Sequence, residues 1–291
     1  MDREIVAAAD HAVDAFLILW YYKEPGSAAE KRWGHLNAAL PQFMASPHAA
    51  RMKFAIEWCN HEPYEVTNEA RWEYCIRSWL PAFRHPSYLR VGGRLVFKVH
   101  TAPGMVAELG GDRAAARRRI GRLRQAVRDA GLGEMVIAAG GLSAEGQVCG
   151  GDWLTETFDF TAIYNQIPPV PQRAEDYPFA DYIAYTHAHR PHHEQDAIPY
   201  MPYLAAGWNR RPWPDDRPYF TYPTRAEWLQ ELRQMKQDLA TCGTFGIPLP
   251  GGGRQKAFTI FAWNEFGEGG IVAPTRGDGW MKLKYLREVF G

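Results

Sequence analysis

Cysteine is scarce in this chain. Cys59, Cys75, Cys149 and Cys242 are scattered over 291 positions. None forms a Cys-x-x-Cys pair, so neither a zinc knuckle nor a dithiol redox motif is expected. In a chain long enough to bury a large core, such cysteines read as reduced core residues. An excess of one charge is lacking too. Lys plus Arg and Asp plus Glu each total 33, so the formal net charge is zero. A neutral chain has no whole-molecule field to gather nucleic acid or an anionic membrane. The longest apolar run, residues 15–22, is about eight residues, against the roughly 20 that span a bilayer. The N-terminus is acidic and helical, without the basic start and apolar stretch of a signal peptide, which makes the cytoplasm the default location. Phosphate-binding loops, a Gly-x-Ser-x-Gly elbow and a dinucleotide fingerprint are all missing, which argues against those chemistries.

Aromatic residues are what the chain has in quantity: 11 Trp, 14 Tyr and 14 Phe, or 13%. Short apolar runs recur at residues 14–20, 52–58, 94–99, 135–139, 158–164, 199–205 and 258–263. Continuous rather than alternating runs indicate strands covered on both faces, as in a parallel sheet. Helical stretches are predicted at 2–11, 28–44, 68–83, 112–130 and 224–241, and this alternation implies right-handed βαβ units. The stretch 165–198 reads as a long Pro- and His-rich loop, of the kind that is usually functional. Seven strands preceded by a helix predict one domain over residues 1–291. Its fold would be an α/β, TIM (β/α)₈-type barrel short of its first strand at the N-terminus. A doubly wound open sheet is the competing architecture. Against it stand the absence of a Gly-rich turn after the first strand and the polar and aromatic residues at nearly every strand end.

Those strand ends carry the candidate chemistry. Residues 262–270 read AWNEFGEGG, with Glu265 and Glu268 three apart at the end of the last strand. A carboxylate pair suits glycoside cleavage, where one group protonates the leaving oxygen and the other assists at the sugar. An aromatic setting is expected to raise one of the two by desolvation. Glu57 ends the second run and is a third such carboxylate, an acceptor for sugar hydroxyls, or a buried carboxylate paired with an Arg. Trp20, Tyr21, Tyr22, Trp58, Tyr164, Trp208 and Trp263 share strand-end placement, and such rings stack on sugar faces. Asn60, His100, Asn209, Arg210 and Asn264 complete the candidate binding set. His187, His189, His192 and His193 match no metal spacing and are expected in a polar lid over the barrel mouth. The seven Arg of residues 112–128 read as the solvent face of a barrel helix.

AWNEFGEGG resembles the Trp-Asn-Glu-Trp-x-Glu-Gly signature of the glycoside hydrolase family 99-like, WbsX-like domains. It is also similar to the Phe-Asn-Glu-Trp-His-Glu-Gly signature of family 99 endo-α-mannosidases. WYYKEPG at 20–26, EWCN at 57–60 and GWNRR at 207–211 resemble further WbsX-like segments in the same order, with Asn209 in place of an Asp. The resemblance implies a (β/α)₈ barrel that acts on α-linked glycans with retention, without metal or organic cofactor, and takes α-mannosides as one candidate substrate. It implies Glu265 as the base, acting on the sugar's own 2-hydroxyl, and Glu268 as the acid. Phe266 and Gly267 replace the signature Trp and His, so contacts made there are not carried over. A carbohydrate partner fits the neutral charge. A glycosyltransferase or a non-catalytic glycan-binding barrel in polysaccharide assembly is the alternative. Those families begin with a strand that this chain does not show: either a preceding segment supplies it, or the strand is absent and the barrel is open or completed by another subunit.

Overall fold

Apolar runs with no polar face need cover on both sides, and the chain arranges them as a mostly parallel sheet wrapped by helices. The computed structural model describes residues 1–141, 151–213 and 217–291. Cys149 lies outside the described residues; Cys59 and Cys75 are buried free thiols, and Cys242 is free and half-buried.

The first part of the chain runs α1 (Asp2–Ala9), β1 (Ala15–Tyr21), α2 (Ala28–Trp33), α3 (Ala39–Met44), β2 (Lys53–Cys59), α4 (Glu69–Phe83), β3 (Arg90–Val91) and β4 (Arg94–Val99). It continues through α5 (Ala102–Glu108), α6 (Arg113–Asp129), β5 (Met135–Ala139), α7 (Gly151–Thr157) and β6 (Phe160–Thr161). The remainder is α8 (Phe179–His189), β7 (Tyr203–Ala205), α9 (Arg225–Thr241), the hairpin β8 (Ile247–Pro248)/β9 (Arg254–Gln255), β10 (Thr259–Phe261), the hairpin β11 (Asn264–Glu265)/β12 (Gly270–Ile271) and α10 (Met281–Phe290).

β1, β2, β4, β5 and β6 lie side by side in that order, all parallel, with β3 antiparallel on β4. Parallel bridges carry the sheet onward from Thr161 to Tyr200 and from Tyr200 to Phe245, and β7 pairs in parallel with β10. The architecture is of TIM-barrel type. Between β10 and β1 no strand pairing occurs among the described residues. The rings of Phe16 and Trp263 meet there at 5.1 Å. The side chain of Asn37 stands in for a strand at the edge of β1, accepting from the Tyr21 N–H at 2.9 Å and donating to its carbonyl at 2.8 Å.

Local chemistry explains the helix boundaries. Asn68, Asp112 and Thr224 each accept a backbone N–H at the start of α4, α6 and α9, and Glu227 completes a capping box with Thr224. Gly131, at φ +71°, ends α6. The helix expected over 28–44 is broken instead. It restarts at Ala39, so that Pro41 falls in a first turn, where its missing N–H costs nothing.

The histidines of the stretch 165–198 do not form a lid. Residues 179–189 are α8, a barrel helix, and none of the four histidines lines the cavity at the strand ends. His187 Nε2 lies 2.7 Å from Glu231 on α9. His193 is buried, bonded to Asp196 at 2.8 Å and stacked at 3.7 Å on Tyr200, which precedes β7. Most α6 arginines are ion-paired on the solvent side, Arg122 with Glu73 at 2.7 Å and Arg124 with Asp159 at 2.6 Å, as expected of an outer helix.

Candidate active site

Side chains of a strand alternate between faces. In β2 this turns Trp58 toward α4, where it meets Trp72 at 5.0 Å, and turns Glu57 inward. Parallel register sets Glu57 beside Lys98 of β4. Lys98 Nζ lies 3.0 Å and His100 Nδ1 2.7 Å from the Glu57 carboxylate, which is 1% exposed. Burial alone would raise the Glu57 pKa. The Lys98 charge and the His100 hydrogen bond outweigh it and hold the carboxyl below its usual range. An ionised Glu57 can only accept, so the shared proton sits on His100 Nδ1 and leaves Nε2 as the other ring atom for the cavity that His100 lines.

β10 runs into the β11/β12 hairpin, which carries the pair Glu265 and Glu268. Tyr164, just beyond β6, donates its hydroxyl to Glu265 at 3.2 Å, and its ring packs on His100 at 4.8 Å. Burial pushes the Tyr164 phenol well up, and the charges of Glu265, Glu57 and Glu268 push it further, so it remains an O–H donor. One phenol thus feels all three carboxylates. Arg210 Nη1 lies 3.3 Å from Glu268. A charged partner, rather than the expected aromatic ring, therefore touches this carboxylate.

The hairpin is held by backbone. The Asn209 N–H donates to the Glu268 carbonyl at 2.7 Å. Gly269 makes this possible: it sits at φ +79°, and a Cβ there would stand 2.6 Å from Asn209 N. Gly269→Ala is expected to push Glu268 away from Arg210 and to destabilise the fold by about 1–3 kcal/mol. A chemical denaturation midpoint checks this, and an unchanged midpoint would refute the strain.

Beside these groups lies a cavity of about 700 Å³ at the strand ends. His100 and Tyr164 form part of its wall, with the chain from Ile163 to Val170 as one side. Glu265 and Glu268 are not on that wall, but Glu265 is bonded to Tyr164, which is.

No protein-family model and no curated protein sequence matches this chain. Solved structures do. One described as a glycoside hydrolase-like protein superposes with a TM-score of 0.62 at 18% identity, over 99% of this chain and 84% of that one. The GH99 endo-alpha-mannosidase from Bacteroides thetaiotaomicron superposes with a TM-score of 0.55 at 15% identity, over 99% of this chain and 77% of that one. The same enzyme in complex with BIS-TRIS-propane gives 0.54, again at 15% identity, over 99% and 81%. The chain shares the overall fold of these structures.

In this fold, the residues expected to bind substrate divide by strand face. Tyr21, Glu57, His100, Tyr164, Arg210, Glu265 and Glu268 cluster electrostatically or by contact at the mouth. Trp20, Tyr22, Trp58 and Trp208 do not open onto the cavity. Trp20 packs edge-on against Trp79 at 5.2 Å, and Tyr22 donates to Glu24 at 2.6 Å with its ring against Tyr74. Trp208 is 1% exposed and donates to the Pro218 carbonyl at 3.0 Å. Each is a core ring because its strand position faces the helices or lies under the loops. Asn60 exchanges two hydrogen bonds with Thr101, at 2.8 and 2.9 Å, and fixes the β2 end against the start of α5. Trp263 packs on Phe16, Asn209 is half-buried beside Asp176, and Asn264 is exposed in the hairpin. Lys98, His61, Arg217 and Asn165 were not expected. Only Lys98 had a signal, a charge inside an otherwise apolar run.

No helix among the described residues is long and apolar enough to cross a membrane.

Proposed function

We propose that residues 1–291 form one catalytic barrel that cleaves α-linked glycans with retention, α-mannosides among the candidates. The observation that carries the reading is the Glu265/Glu268 pair at the end of the last strand, one carboxylate held by Tyr164 and the other by Arg210. In this reading Glu265 takes the proton of the sugar's 2-hydroxyl, and that oxygen attacks C1. The bond from C1 to the leaving oxygen breaks as Glu268 donates its proton to that oxygen. The first product is a 1,2-anhydro sugar. Water then adds at C1, giving its proton to Glu268, as the C1–O2 bond breaks and O2 recovers its proton from Glu265. Two inversions at C1 give net retention. Tyr164 aims the base. The Arg210–Glu268 pair must loosen when the glycan enters, because an acid needs its proton. The Glu57–His100 pair presents an oriented imidazole to sugar hydroxyls.

Incubation with aryl α-mannosides and α-mannan, read by proton NMR of the first-formed anomer, tests the reading. Release of the α-anomer is the expected result. Release of the β-anomer overturns the mechanism. No release from any α-glycoside, with transfer from a sugar-nucleotide donor instead, identifies a transferase.

A further inference from the structure

Most rings of this chain are buried or half-buried. Among the described residues four stand exposed: Trp213, Tyr222, Phe266 and Trp280. A single exposed ring needs no explanation. Three of these four, however, gather around the hairpin that carries the two carboxylates. Phe266 lies in it, between Glu265 and Glu268. Tyr222 lies against Gly207, where a Cβ would stand 3.0 Å from its ring and 2.5 Å from the Gly269 carbonyl oxygen. Trp213 lies on Gly267, where a Cβ would stand 2.5 Å from the indole.

The position of Trp213 is fixed from two sides. The Asn209 N–H bond to the Glu268 carbonyl sets the chain after β7 along the hairpin, and the Trp213 N–H closes the next turn onto the Arg210 carbonyl at 2.8 Å. That turn lays the indole on bare backbone. The Arg210 guanidinium lies 5.4 Å from the indole and 3.3 Å from Glu268, so ring, cation and carboxylate form one group. Trp213 is still 51% exposed. A ring backed by the hairpin and open in front offers a flat apolar surface of fixed orientation, which suits the apolar face of a pyranose. The two carboxylates therefore have different neighbours. The cavity walled by His100 and Tyr164 is on the Glu265 side, and the open indole is on the Glu268 side.

Building on the glycosidase reading, in which Glu268 protonates the leaving oxygen, we infer that Trp213 is the stacking platform for the sugar on the leaving-group side of the scissile bond. A pyranose stacked there sets its hydroxyl edge beside Arg210 and Glu268, which an apolar protein surface cannot do.

Titration calorimetry tests this on Glu265→Gln, which holds a glycan without turnover, alone and combined with Trp213→Ala or Trp213→Phe. The probes are α-linked tetrasaccharides of mannose, glucose and galactose. At least one should bind. Trp213→Ala should weaken it at least about tenfold, as loss of an anchoring Trp does, and Trp213→Phe should keep part of the affinity. Melting temperatures should not change, because the ring is half open. No binding of any probe at millimolar concentration, or equal affinity with and without the indole, overturns the platform. So does a dimer in sedimentation that Trp213→Ala abolishes, because a second copy would then cover the ring. Rates in the otherwise unsubstituted enzyme place the ring. An α-glycosyl fluoride releases only fluoride, so nothing of its leaving group reaches Trp213. The Trp213→Ala loss in kcat/KM should be at least about tenfold greater on the tetrasaccharide than on the matching fluoride. Equal losses on both, or cleavage indifferent to Trp213, remove this inference alone. Trp213-dependent binding without cleavage of any probe removes the glycosidase reading and leaves Trp213 as a glycan platform.

Discussion

Glu265→Gln should reduce kcat/KM on α-glycosides by about 10²–10⁴, the range in which a positioned acid or base contributes. The amide keeps the shape of the carboxylate and can still accept from Tyr164, so folding and glycan binding should change little. It cannot take the 2-hydroxyl proton, so the first bond to C1 does not form. Glu268→Gln should behave differently. With an activated nitrophenyl leaving group, the first step needs little protonation, and the loss should be small there. With a sugar leaving group it should approach that of Glu265→Gln. Tyr164→Phe removes one donor to the base, worth about 1 kcal/mol, and should cost roughly fivefold to tenfold. Steady-state rates on both substrate types separate the roles. If neither Glu variant loses about a hundredfold on a sugar leaving group, the two carboxylates are not the reacting pair.

Much of this site was legible before any coordinates. AWNEFGEGG stands out because an apolar strand runs directly into two carboxylates and three glycines, and the hairpin there is what places Glu265 and Glu268. Glu57, His100, Tyr164 and Arg210 were found by strand-end position, and each lies in the cluster. The seven apolar runs correspond to the parallel positions of the sheet, although Tyr203–Ala205 and Phe160–Thr161 are shorter than the runs that contain them.

The errors share a cause. Strand-end position says how high a residue sits, not which way it points. Trp20 and Tyr21 are neighbours, as are Glu57 and Trp58, and in each pair only the inward member reaches the mouth. Period-two alternation predicts that opposition, but in runs apolar on both faces nothing in the composition says which parity is inward. Glu57 would have settled the parity, had Lys98 been read as its partner. That requires the register between β2 and β4, which depends on contacts far apart in sequence. The histidines of 187–193 failed for a related reason: a Pro- and His-rich composition hid a helix, and the partners of His187 and His193, Glu231 and Tyr200, lie elsewhere in the chain.

The Glu57–Lys98 pair yields the largest stability prediction. Both side chains are 2% exposed, so neither can recover water if its partner is lost. Breaking a buried pair by removing one member leaves an uncompensated charge and costs about 3–5 kcal/mol, a large part of a domain's stability of about 5–15 kcal/mol. Glu57→Gln should therefore be strongly destabilised in guanidinium unfolding. Adding Lys98→Met removes the orphaned ammonium, and the double variant should recover most of the loss. If Glu57→Gln fails to fold, folding of the double variant still reads the coupling. A single variant that loses less than about 1 kcal/mol, or a double variant no better than the single, would refute it. Proton linkage adds a second readout. The native Glu57 pKa lies below its unfolded value, so its contribution is full above the unfolded value, about 4.3, and is lost as pH falls through the native one. The wild type should lose this contribution on acidification, and Glu57→Gln should lack that share of the pH dependence. Activity distinguishes position from stability. The amide that replaces the Glu57 carboxylate can either accept from His100 Nδ1 or donate to it, so His100 is no longer held in one tautomer, and at temperatures where the variant is folded KM should rise more than kcat falls. A purely structural pair would leave that ratio unmoved.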